Sequence, residues 1–103
     1  MGKLVRDKIP EIIEASGATP LTRILETEEY LSCLEAKLDE EVQEFHESKS
    51  PEELADILEV VFALAADLGI SREMLTEVYE KKHHQRGGFA KRIYLEGVED
   101  GCL

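Results

Sequence analysis

Residues 30–62 read YLSCLEAKLDEEVQEFHESKSPEELADILEVVF. Tyr30, Leu31, Leu34, Leu38, Val42 and Phe45 recur at helical spacing and mark the buried face of one long helix. Ser48-Lys49-Ser50-Pro51 interrupts the pattern. Ser50, Pro51 and Glu53 then spell a helix start: an N-cap, a proline in the first turn and a capping-box acid. Beyond it, Leu54, Ile57, Leu58, Val61, Phe62 and Leu64 make a second helix that is almost wholly apolar, with Gly69 as its stop. The spacing predicts helices over 28–48 and 51–68, and the short turn between them makes them antiparallel neighbours. A helix apolar on most sides has to be covered on most sides. Three helices in one chain leave part of it bare, so a homo-oligomer with part of this helix at its interface is expected.

Working outward, a short helix is expected over 8–15, with Asp7 as N-cap and Gly17 as stop. Residues 18–25, with Pro20 and two threonines, read as extended or loop. Glu28 and Glu29 suit the positive end of the first long helix. Ser71 caps a further helix over 72–85, which Gly87-Gly88 ends. Residues 89–95 read as extended, pairing with Lys3-Leu4-Val5, and 96–103 as a loose acidic tail. The fold class expected is all-α, an antiparallel helical bundle with short extended terminal segments, in a single domain over 1–103.

The chain has 103 residues, of which 43% are hydrophobic and 34% charged, a balance that favours a packed core over disorder. Twelve basic residues face twenty-three acidic ones, a formal charge of -11. That argues against binding duplex nucleic acid through bulk electrostatics, which needs a basic surface. It leaves room for a nucleotide held by a few local cations. No dinucleotide fingerprint or P-loop occurs. Cys33 and Cys102 lack metal-type spacing and do not make a disulfide scaffold. The opening residues carry no secretion-type apolar region, and the longest apolar run, 60–66, is too short for a membrane span. A cytoplasmic location with no membrane partner is expected.

The informative conflict lies in the first long helix. At about 100° per residue, Tyr30, Leu34, Leu38 and Phe45 all fall within about 60° of Glu41. Glu41 therefore sits inside the apolar arc, and Glu44 at its edge. A lone carboxylate facing a core costs several kcal/mol unless it is paired or metal-bound. On the second helix Glu53 and Asp56, three apart, share a face. Folding the hairpin brings Glu41, Glu44, Glu53 and Asp56 together, and all-oxygen ligation suits Mg²⁺ or Mn²⁺. The plainer alternatives are that such acidic pairs are solvated faces, that Glu53 only closes a capping box, and that Glu41 pairs with an internal lysine or arginine.

The cations cluster as Lys3, Arg6 and Lys8 near the start and Lys81, Lys82, Arg86, Lys91 and Arg92 near the end. Meeting of the two termini would make a cationic patch suited to a polyphosphate bridged to a divalent ion. Lys81 and Lys82 equally complement a helix C-terminus. His83 and His84, adjacent and about 100° apart, make no shared metal site and read as surface or interface residues.

Taken in order, Glu40-Glu41-Val42-Gln43-Glu44 and Glu53-Leu54-Ala55-Asp56 resemble the E-E-x-x-E and E-x-x-D signature of MazG-like all-α nucleoside triphosphate pyrophosphohydrolases. The opening Lys3-Leu4-Val5-Arg6-Asp7-Lys8-Ile9-Pro10 and the later Arg86-Gly87-Gly88-Phe89-Ala90-Lys91-Arg92-Ile93-Tyr94-Leu95 are similar to the small, phosphoribosyl-ATP pyrophosphohydrolase-like branch. The resemblance runs over about residues 3–98. It implies Mg²⁺-dependent hydrolysis of a nucleoside triphosphate, non-standard or in excess, to the monophosphate and pyrophosphate. It further implies Glu41, Glu44, Glu53 and Asp56 as metal ligands, Glu40 or Glu44 as the acid that orients or deprotonates water, and a dimer or tetramer. Arg6, Lys8 and Arg86 are the candidates for holding phosphates. Phosphoribosyl-ATP hydrolysis in histidine synthesis and a non-catalytic helical interaction module are the alternatives.

Overall fold

A computed structural model describes residues 2–99 and builds them from four α-helices: α1 (Ile9–Ala15), α2 (Thr27–Ser48), α3 (Pro51–Asp67) and α4 (Arg72–Arg86). The described residues contain no strand. They group into two compact units, divided between Arg72 and Glu73.

The first unit is organised by α2 and α3, which pack on each other across the two-residue connection Lys49-Ser50. This is an αα-hairpin of the shortest kind. Lys49 ends α2 in the left-handed conformation, φ 56°, and its N–H donates to the Phe45 carbonyl at 2.8 Å. Its ammonium lies 5.5 Å from the centroid of the Phe45 ring. Ser50 then enters α3 with extended backbone, and Pro51 opens the helix. The expected capping box does not form. The Ser50 side chain makes no cap bond, because its hydroxyl lies 3.2 Å from that of Ser48. Glu53 is thereby left to turn inward.

The far end of α3 closes as a Schellman motif. Gly69 takes φ 80° and donates to Ala66 at 3.0 Å, and Ile70 donates to Ala65 at 2.8 Å. The same motif ends α1, with Gly17 donating to Glu14 and Ala18 to Ile13. α1 starts one residue later than expected. Lys8 occupies the N-cap position, because the Ile9 N–H already bonds the Arg6 carbonyl in a turn over residues 6–9.

The core is thin. Leu34, Val60 and Ala65 are its buried apolar members, and no described side chain is completely enclosed. Full burial of a Leu or Val contributes about 1.5–3 kcal/mol. Half-buried Ile57, Val61, Phe62 and Leu64 extend the core along α3, and Arg72 lies over the Phe62 ring, 4.2 Å from its centroid. On the outer side of α3, Leu54 and Leu58 stay about half exposed, at 50% and 53%.

In the second unit α4 buries no residue. Tyr79 and His83, one turn apart, stack with ring centroids 5.9 Å apart, and His83 and His84 are both exposed. Of the extended segment expected over 89–95, residues 89–92 form a turn instead, closed by an Arg92 N–H to Phe89 carbonyl bond of 3.0 Å with Arg92 at φ 57°. Neither it nor residues 3–5 is a strand, so the expected pairing is absent. Cys102 and half of the expected acidic tail, residues 100–103, lie outside the described residues, and Cys33 carries a free thiol.

Candidate functional site

Glu41 decides the site. It is the one buried charged residue among those described, 6% exposed, and it lies on the face of α2 that carries Leu34. Seven residues separate the two, close to two full helical turns, so the helix that seats Leu34 in the core also carries Glu41 inward. One carboxylate oxygen, Oε1, lies 3.4 Å from Lys37 Nζ. The other, Oε2, is buried with no partner, and so is Oε2 of Glu53. An unsatisfied buried acceptor costs about 1–3 kcal/mol, more when charged.

The hairpin brings the acids of both helices to this point. Glu41, Glu53 and Asp56 each present an oxygen within 4.8 Å of the others, and so do Glu40, Glu41 and Glu44. Glu41 belongs to both groups. Burial pushes its carboxyl above the ordinary carboxylate range. The nearness and negative charge of Glu44 push it further, Asp56 adds to this, and Lys37 opposes it. Burial alone would lower the Lys37 ammonium. Its bond to Glu40 at 3.2 Å and the charges of Glu40 and Glu41 outweigh that and raise it. The lysine shares its helix with both acids, at i, i+3 and i, i+4.

A second cation reaches the cluster from a distant part of the chain. Arg6 places Nη1 3.2 Å from Asp56 Oδ1 and Nη2 3.2 Å from Glu59 Oε1. Its backbone is held by the turn that precedes α1. Residues 3–9 and Ile12 thus wall a cleft of about 870 Å³ against α2 and α3, of a size suited to a small ligand. One end is acidic, with Glu41, Asp56 and Glu59. The rest is apolar, with Tyr30, Leu34, Val60 and Ala63, and Lys3, Arg6 and Lys8 stand on the N-terminal wall.

The structure therefore brings together Glu40, Glu41, Glu44, Glu53 and Asp56 and places Arg6 and Lys8 at the same cleft. Arg86, the last residue of α4, is exposed in the second unit. Glu59 and its bond to Arg6 were not singled out from sequence. The two are 53 residues apart, and no local pattern links them. Lys37 was legible, being one helical turn from Glu41.

The donor set fits a hard divalent cation: carboxylate oxygens alone, two of them buried and unpartnered, converging from two helices. The fold and site together define an all-α hairpin protein with an acidic centre at one end of an apolar cleft. No protein-family model matches the chain, and no solved structure matches it. A protein of Mycolicibacterium smegmatis, described as an uncharacterized protein, is 61% identical to it over 44 residues. That match covers 43% of this chain and 45% of the relative, so it spans less than half the length of either.

Proposed function

We propose that this chain is a Mg²⁺-dependent nucleotide pyrophosphohydrolase that cleaves a nucleoside triphosphate, non-standard or in excess, to the monophosphate and pyrophosphate. The observation that carries the reading is the buried, half-unpaired Glu41 facing Glu53 and Asp56. Its motif order supports the same reading through the resemblance to MazG-like enzymes. A divalent cation in such a site offsets the charge that builds on phosphate oxygens as the anhydride breaks.

The chain's own residues divide the remaining work. Glu41, Glu53 and Asp56 hold the ion, with Glu44 beside them. Lys37 engages Glu40, which leaves Glu44 as the acid free to orient water and take its proton. Arg6 and Lys8 face the phosphates from the N-terminal wall, and Arg86 is a candidate through the motif resemblance alone. The apolar length of the cleft accepts the nucleoside. Self-association through the outer face of α3 completes the reading.

Pyrophosphate release from a panel of nucleoside triphosphates and phosphoribosyl-ATP, with Mg²⁺ or Mn²⁺, tests it. Release from a triphosphate, lost in Glu41→Gln, is the expected result. Release from phosphoribosyl-ATP alone assigns the histidine-synthesis activity instead. No release from any of them rejects both.

One observation favours a non-catalytic helical module: Lys37 and Arg6 already supply cations to Glu41 and Asp56. Thermal melting separates the two, since a ligand that binds only the folded state raises the midpoint. Millimolar Mg²⁺ or Mn²⁺ should raise it in the wild type and not in Glu41→Gln with Asp56→Asn. An unchanged wild-type midpoint favours the module.

A further inference from the structure

We infer that Arg6 is an exchangeable counter-cation of the acidic centre: it occupies Asp56 while no divalent ion is bound, yields that carboxylate to the ion, and turns its freed edge to the anion that follows. The inference rests on the metal-site reading above and extends it to a residue that carries no ligand oxygen.

Arg6 grips Asp56 and Glu59 through different nitrogens, each at 3.2 Å. Asp56 belongs to the trio with Glu41 and Glu53, whereas Glu59 belongs to neither acidic group. The guanidinium therefore bridges a ligand and a non-ligand. An ion arriving at the trio competes with Nη1 alone, and Nη2 keeps its hold on Glu59. The Ile9 N–H fixes the Arg6 carbonyl at 3.0 Å, so the exchange swings a side chain on a pinned backbone. The arginine is more than half exposed, at 59%, and Asp56 is at 36%, so the bond is a weak, solvent-screened one that an ion can displace. The buried oxygens Glu41 Oε2 and Glu53 Oε2 lack any partner, and Arg6 does not reach them. They give an ion something Arg6 cannot satisfy, which sets the direction of the exchange. Once the ion is seated, like charges repel, and a planar donor fork left on the cleft wall suits a phosphate.

The consequence has opposite signs for cation and anion. Mn²⁺ binding to the full chain, followed by calorimetry and electron paramagnetic resonance, should be roughly two- to fivefold tighter in Arg6→Gln than in the wild type. Arg6→Lys should stay near the wild type. Lys8→Gln removes one charge from the same wall with no bond to Asp56, and should change Mn²⁺ affinity less than Arg6→Gln does. Inorganic pyrophosphate should bind the Mn²⁺-loaded wild type more tightly than Mn²⁺-loaded Arg6→Gln. Circular dichroism confirms that each variant is folded. Weaker or unchanged Mn²⁺ binding in Arg6→Gln overturns the exchange, and equal tightening in Lys8→Gln reduces it to general electrostatics and overturns it too. Unchanged pyrophosphate binding overturns the transfer to an anion. If the wild type binds no Mn²⁺ at all, the metal-site reading fails and takes the inference with it; if Mn²⁺ binds but ignores Arg6, the inference fails alone.

Discussion

At the scale of single residues, Glu41 is a stability cost that a ligand would relieve. Its raised carboxyl value, set first by burial, fixes the sign of a pH effect. A group whose folded value lies above its unfolded one, here 4.5, stabilises fully below the unfolded value, and that contribution is lost as pH rises through the folded value. Melting of metal-free wild type against Glu41→Gln should therefore show a gap that opens above pH 4.5 and then levels, the variant being more stable by about 1 kcal/mol at neutral pH. A less stable variant would mean that the Lys37 pair outweighs the unpartnered oxygen. Activity of the same variant should fall at least about a hundredfold if this carboxylate holds the ion. The sequence disclosed this position because one polar residue at an apolar wheel angle is a local fact. It could not disclose Arg6, whose partners Asp56 and Glu59 lie 50 and 53 residues away and meet it only through the tertiary fold.

At the scale of elements, the hairpin's short connection holds two departures from ideal local chemistry. Lys49 adopts a left-handed backbone that a residue with a Cβ enters at a cost. Lys49→Gly should stabilise the chain by about 0.5–1 kcal/mol in chemical denaturation, less whatever its exposed contact with Phe45 contributes. Ser50→Ala should cost less than about 0.5 kcal/mol, where a working N-cap would cost about 1, because its hydroxyl faces Ser48 and not the helix start. Helix lengths were readable to within a residue or two, since glycine stops and hydrophobic spacing are both local signals. The capping box was misread because Glu53 has a competing use: its carboxylate turns to Glu41 and Asp56, a demand that residues 50–53 do not contain. The strand expected over 89–95 failed for a similar reason, since pairing needs a partner edge and residues 3–5 offer none.

At the scale of the whole molecule, the buried apolar set of Leu34, Val60 and Ala65 is small for a chain of this length, while Leu54 and Leu58 line the outer side of α3. Sedimentation should find the wild type self-associated, and Leu54→Glu with Leu58→Glu should shift it to monomer and lower its melting temperature. A wild type already monomeric at micromolar concentration would remove α3 from any interface. No helix among the described residues is long and apolar enough to cross a membrane. The connection at Lys49-Ser50 carries one more implication. Lys49 and Ser50, one left-handed and one extended, set where α3 starts against α2, so a residue inserted there would move Asp56 relative to Glu41. The joint behaves as a vernier that must not be reset. Tolerance for added or lost residues belongs to 18–22, ahead of the Arg23 pair with Glu29, where Leu21 is 95% exposed.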